Sequence, residues 1–205
     1  MEITDLFLIN RMIPVLTINK LETALPLCTA LIKGGLNVIE ITLRTKFTLD
    51  SVEILSKEFP EVRIGVGTLL DPQDLNRAKN SGACFAVSPG LNMDLVRQAE
   101  TVGLAYLPGI QTSSEAMTAY RNGLRALKFF PAKAAGGIYG LQQLRPLYPG
   151  LKFCPTGGIG FSDATEYLKE ENVACIGGSF ASPSNLIEEQ NWKEITKLAI
   201  KAAAL

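Results

Sequence analysis

Short apolar, β-branched runs alternate along this chain with longer segments whose apolar residues recur at helical spacing. The runs are "MIPVLTI" around Ile13, "NVIEITL" around Ile39, "VRIGVG" around Ile64 and "ACFAVS" around Phe85, then "LAYLPG" around Tyr106, "ALKFF" around Lys128, "LKFCP" around Phe153 and "VACIGG" around Ile176. They return roughly every twenty to twenty-five residues. Segments such as "KLETALPLCTALIKGG", "LDSVEILSKEF", "PQDLNRAKNSG" and "NMDLVRQAETVG" lie between them. Several open on Asp, Ser or Thr and close on glycine, as helix starts and stops do. Eight strand–helix units in series predict an α/β fold with a parallel sheet, closed into a (β/α)8 TIM barrel. A flavodoxin-like open sheet is the structural alternative and needs fewer strands. "ITDLFLINR" predicts an extra N-terminal helix, and "NWKEITKLAIKAAAL" a closing one. At 205 residues the chain, 1–205, reads as a single domain with brief loops.

Side chains alternate faces along a strand. In the second run this turns Ile39, Ile41 and Leu43 toward the helices and Val38, Glu40, Thr42 and Arg44 inward. In the sixth, Leu127 and Phe129 face the helices while Ala126, Lys128 and Phe130 face inward. In the third, Ile64, Val66 and Thr68 are expected inward, with Gly65 and Gly67 between them. The register gathers Glu40, Arg44, Thr68 and Lys128 in one lumen, toward the strand ends where such barrels keep their chemistry. Burying those groups costs stability. A buried ionic network without chemistry is one reading. The other begins at Lys128: an apolar wall disfavours an ammonium, and a neutral amine condenses with a ketone to give a Schiff base. Glu40 is then the obvious proton shuttle.

Composition removes competing chemistries. Hydrophobic residues are 47% of the chain and charged residues 20%, a globular composition. Twenty basic and twenty acidic residues cancel, and no Lys/Arg-rich run suggests a nucleic-acid partner. No stretch approaches the ~18 apolar residues of a membrane span, and the acid-bearing start does not read as a secretion signal. Cys28, Cys84, Cys154 and Cys175 form no CxxC pair and read as reduced thiols of a cytoplasmic protein. The chain has no histidine, which excludes the Ser-His-Asp triad and the HExxH zinc motif. Metal sites built only from carboxylates remain open at this point, although no tight Asp/Glu cluster occurs in the chain.

Glycine pairs follow the last two runs: "CPTGGIGFSDA" carries Gly157 and Gly158, and "CIGGSFASP" carries Gly177, Gly178 and Ser179. Loops at these places in such barrels often bind phosphate through backbone N–H groups. Gly136 and Gly137 hold a similar position after the lysine run. Pro89 and Pro108 end strands, as rigid turns or as substrate contacts.

The segments "VIEITLRT", "GVGTLLDPQDL", "AVSPGLN", "LPGIQTSSE", "LKFFPA", "FCPTGGI" and "CIGGS" resemble, in this order, the class I aldolases acting on 2-keto-3-deoxy-6-phosphogluconate, which are also known for 4-hydroxy-2-oxoglutarate. The resemblance runs from about Ile13 to Ser179. It implies Lys128 as the Schiff-base lysine and Glu40 as the catalytic carboxylate, with Arg44 and Thr68 holding the pyruvate portion and Pro89 lining the pocket. Gly157, Gly158 and Ser179 are implied at the phosphate end, in a homotrimer without a metal. Lys133 departs from the family, where an acid is expected; it is either a solvent-facing change or one that alters substrate-charge preference. Sister enzymes for the phosphogalactonate epimer carry an arginine just after the first strand, whereas this chain has "MIPVLTI" there. The alternatives are that epimer's aldolase, a phosphate-binding isomerase or synthase using Lys128 only as a charge, and a non-catalytic sensor of phosphorylated sugar acids.

Overall fold

A computed structural model describes residues 2–205. Its elements run α1 (Ile3–Ile9), β1 (Met12–Leu16), α2 (Ala24–Lys33), β2 (Val38–Thr42), α3 (Thr48–Glu58), β3 (Arg63–Gly67), α4 (Pro72–Asn80), β4 (Phe85–Val87), α5 (Met93–Val102) and β5 (Ala105–Leu107). There follow β6 (Gly109–Ile110), α6 (Ser113–Arg121), β7 (Ala126–Phe129), α7 (Gly137–Leu144), β8 (Lys152–Pro155), α8 (Ala164–Leu168), β9 (Ile176–Gly178), α9 (Ser184–Glu188) and α10 (Trp192–Ala203). The helix starts obey local chemistry: Asp71 and Thr112 each cap through a reciprocal capping box, with Pro72 opening α4. No helix among the described residues is long and apolar enough to cross a membrane.

All strand pairings are parallel. One sheet has the order β5-β4-β3-β2-β1-β9 and the other β6-β7-β8. The fifth apolar run is split at Pro108, which has no N–H to give a ladder. Its carbonyl still accepts from the Lys128 N–H at 2.9 Å, so the two sheets meet there. On the other side, isolated bridges Phe153↔Val173 and Thr156↔Gly177 reach from β8 toward β9. The result is an α/β fold of parallel strands curled in a barrel-like arrangement.

Alternation along the strands sorts the core in two. Ile39, Ile41, Leu127 and Phe129 join the helices in an outer cluster. Ile13, Val38, Phe85, Val87, Leu107, Ala126, Cys154 and Cys175 form an inner one, joined by Leu6 and Phe7 of α1. The third strand corrects the expected parity. Ile64 and Val66 lie in the outer cluster, because parallel register sets Gly65 beside Glu40 and Ile64 beside Ile39. Gly65 and Gly67 take the inner positions, where the Phe85 ring and the Glu40 side chain fill the space that a Cβ would need. All four cysteines are free, and three of them are buried.

Leu6 is fully buried beneath the strands. Leu6→Ala should therefore cost ~2–5 kcal/mol in urea unfolding; a change within ~0.5 kcal/mol, as at a surface position, would show that α1 is not part of this core.

Candidate active site

β2 and β7 each bring one charged side chain into the ring of strands. The Lys128 Nζ donates to Glu40 Oε1 at 3.2 Å, with the residues 5% and 4% exposed. The Phe130 ring centroid lies 5.3 Å from the same nitrogen. Desolvating two ions costs several kcal/mol each, and only close pairing offsets it. The neighbouring backbone is shaped to permit that pairing. A Cβ on Gly67 would collide with the Glu40 carboxylate, so glycine here is required by space.

Gly109 pairs in register with Lys128, and a Cβ there would collide with the Pro89 carbonyl. The Pro89 turn is thus held against the strand beside the lysine. It is braced by Ser88, whose Oγ donates to the Gly90 carbonyl at 2.7 Å and lies 2.6 Å from the Tyr106 hydroxyl. Burial pushes the Tyr106 phenol up to about 12, against the opposing effect of its bond to Ser88. Thr68, directly after β3, has φ of 65°. A β-branched residue in the left-handed region is strained, and such strain clusters at functional sites.

A cavity of about 780 Å³ opens at the C-terminal ends of β1, β8 and β9. Arg44, Phe130, Thr156, Gly157, Gly158 and Ser179 are in its wall. Gly157 and Gly158 have φ of 104° and 81°, conformations open to glycine, and no Cβ intervenes between their peptides and the cavity. Lys133 packs over Gly158 and pairs with Asp163 at 2.8 Å. The Asp163 hydrogen bond raises the Lys133 pKa. Burial pushes Asp163 up, but its bonds from Lys133 and the Gly160 N–H outweigh this and hold it low. Lys133 is exposed and engaged with a carboxylate, close to the glycine pair.

The structure therefore joins Lys128 to Glu40 and collects Arg44, Gly157, Gly158 and Ser179 around one cavity. Thr68 and Pro89 sit at the ends of β3 and β4, outside that cavity's wall. Arg44 was expected inside by alternation, but β2 ends at Thr42 and Arg44 lies exposed on the turn that follows. Phe130 and Thr156, which lead from the lysine strand and β8 into the cavity, were not selected as site residues by the sequence reading. Neither were Thr17, Asn19 and Lys20 after β1. Their position directly beyond a strand's C-terminal end was the available signal.

A family model described as KDPG and KHG aldolase matches residues 3–198. The KHG/KDPG aldolase of Escherichia coli is 43% identical over 190 residues, covering 93% of this chain and 89% of that relative. The 2-dehydro-3-deoxy-phosphogluconate aldolase of Dickeya dadantii is 41% identical over 192 residues, covering 94% and 90%. A crystal structure of KDPG aldolase from Legionella pneumophila, with pyruvate captured at low pH as a covalent carbinolamine intermediate, aligns with a TM-score of 0.95 at 40% identity. That alignment covers 98% of this chain and 97% of that one.

Two stability measurements check the geometry. Gly67→Ala should cost ~1–3 kcal/mol through overpacking. In combination with Glu40→Ala the two losses should be less than additive, because the clashing carboxylate is gone; strict additivity would separate the two sites. Thr68→Gly should raise stability by about 1 kcal/mol by releasing the left-handed strain, and a loss instead would mean that the threonine side chain is worth more than its strain.

Proposed function

The chain belongs to the KDPG and KHG aldolase family, and from that premise we propose that it is a class I aldolase. It reversibly cleaves 2-dehydro-3-deoxy-6-phosphogluconate to pyruvate and glyceraldehyde 3-phosphate, and handles 4-hydroxy-2-oxoglutarate, giving pyruvate and glyoxylate, on the same residues. The observation that carries the reading is the buried 3.2 Å contact between Lys128 and Glu40, which places an amine and a proton acceptor side by side. The relatives from Escherichia coli and Dickeya dadantii, named as KHG/KDPG and 2-dehydro-3-deoxy-phosphogluconate aldolases, support the substrates.

In this mechanism Lys128, after passing its proton to Glu40 or water, attacks the C2 ketone through Nζ. The carbinolamine loses water and becomes a protonated imine. Glu40, directly or through water, takes the C4 hydroxyl proton. The C3–C4 bond then breaks, and its electron pair enters the imine to form an enamine while the aldehyde departs. Protonation at C3 and hydrolysis release pyruvate and restore the amine. Arg44 and Thr68 hold the pyruvate carboxylate, Pro89 lines the pocket, and Gly157, Gly158 and Ser179 receive the phosphate. The substrate's gluconate configuration is favoured by the first strand run, "MIPVLTI", which lacks the arginine that the phosphogalactonate enzymes carry just after it.

The same reading includes a closed (β/α)8 barrel over residues 1–205 with α1 as the extra helix, supported by the Pro108 link and the bridges from β8 to β9. It also includes a homotrimer working in the cytoplasm without a metal or other cofactor.

Substitution separates covalent chemistry from a purely ionic role. Lys128→Arg keeps the charge but cannot form the imine, and should be as inactive as Lys128→Ala; substantial turnover by Lys128→Arg would overturn the proposal. Glu40→Gln should still capture pyruvate yet turn over ~10²–10⁴-fold more slowly.

A further inference from the structure

One hydroxyl in the cavity wall is unaccounted for. Ser182 is 4% exposed, and its Oγ has no hydrogen-bond partner among the described residues. The residue lines the same cavity as Gly157, Gly158 and Ser179. Its N–H donates to the Ser179 carbonyl at 2.9 Å, so one tight turn presents both serines. Other buried hydroxyls of this chain are paired: Thr42 with the Leu16 carbonyl, Thr48 with the Thr42 carbonyl, and Ser88 with Gly90 and Tyr106. A buried polar group left without a partner is unusual and costs stability, which makes it a pointer to something that binds.

The rest of the wall says what that is. Lys20 and Arg44 carry positive charge into the lining, against a single carboxylate, Glu188. Neither cation takes part in an ion pair among the described residues. The balance suits an anion with several acceptor oxygens. Serine has one side-chain torsion, so its hydroxyl can swing toward such a ligand without moving the backbone.

We propose that Ser182 is a specificity-determining residue, whose hydroxyl donates to the distal phosphate of the substrate together with the glycine pair and Ser179. The inference rests on the aldolase reading and adds a residue to its phosphate end. It distinguishes phosphorylated substrates from those that lack the group, because an unphosphorylated keto acid leaves Ser182 as unpaired as it is in the free protein.

The test compares the parent with Ser182→Ala in three measurements: calorimetric binding of inorganic phosphate, steady-state cleavage of the phosphorylated substrate, and exchange of pyruvate methyl protons with solvent deuterium followed by NMR. Phosphate binding should weaken about tenfold, the loss of one hydrogen bond to a charged group. The KM for the phosphorylated substrate should rise to match, while kcat and pyruvate exchange stay at parental values. The ligand-free melting temperature should not fall, since alanine leaves no polar atom unpaired. Unchanged phosphate affinity overturns the proposal, as does a parent that binds no phosphate. A lower melting temperature with slower pyruvate exchange also overturns it, by revealing a structural serine held by a buried water. If phosphate binding depends on Ser182 but the parent never exchanges pyruvate protons, the aldolase reading fails while the phosphate contact stands.

Discussion

Two opposite charges placed out of water must stay together, and the contact between Lys128 and Glu40 imposes that condition on everything around it. Removing either partner leaves an uncompensated buried ion, a loss of ~3–5 kcal/mol. The condition explains why β3 carries glycine where its neighbours carry side chains: the Glu40 carboxylate occupies the place of a Gly67 Cβ. Gly109, in register with Lys128, is glycine for a different reason: the Pro89 carbonyl occupies the place of its Cβ. Below the pair, the inner apolar cluster and α1 keep water from reaching it through the N-terminal ends of the strands.

In the proposed function, chemistry and recognition are thereby separated by depth. The amine and carboxylate lie within the strands, fixed by parallel register, while the cavity above is made of loops following β1, β8 and β9. Phe130 belongs to both, with its ring near the lysine nitrogen and its side chain in the cavity wall. A substrate that puts its ketone at Lys128 and its anionic end at Gly157, Gly158 and Ser179 spans these two levels. The fold tolerates a strained Thr68 directly after β3 and an unpartnered Ser182 in the cavity wall. Both are local losses of stability that make sense where a ligand is to be gripped.

Much of this was legible in the alternation of apolar and polar residues. Glu40 and Lys128 interrupt apolar strands at inward positions, and the structure puts them in contact. The third strand was misread because Gly65 and Gly67 carry no hydropathy signal. Their inward placement follows from the bulk of Phe85 and Glu40 on the two adjacent strands, information held outside β3 itself. Arg44 escaped alternation because its strand ends two residues earlier. Ser182 was invisible for a different reason: a serine before a proline reads as an ordinary turn, and only burial without a partner sets it apart.

The central claim concerns one nitrogen, and its most direct test is borohydride reduction in the presence of pyruvate, followed by peptide mapping. Lys20 lines the cavity and Lys133 lies beside the glycine pair, so both are exposed competitors for the label. The account predicts a single reduced pyruvate adduct on Lys128, and none on either competitor. An adduct confined to Lys20 or Lys133, or full catalytic turnover with no trapped adduct at all, would contradict it.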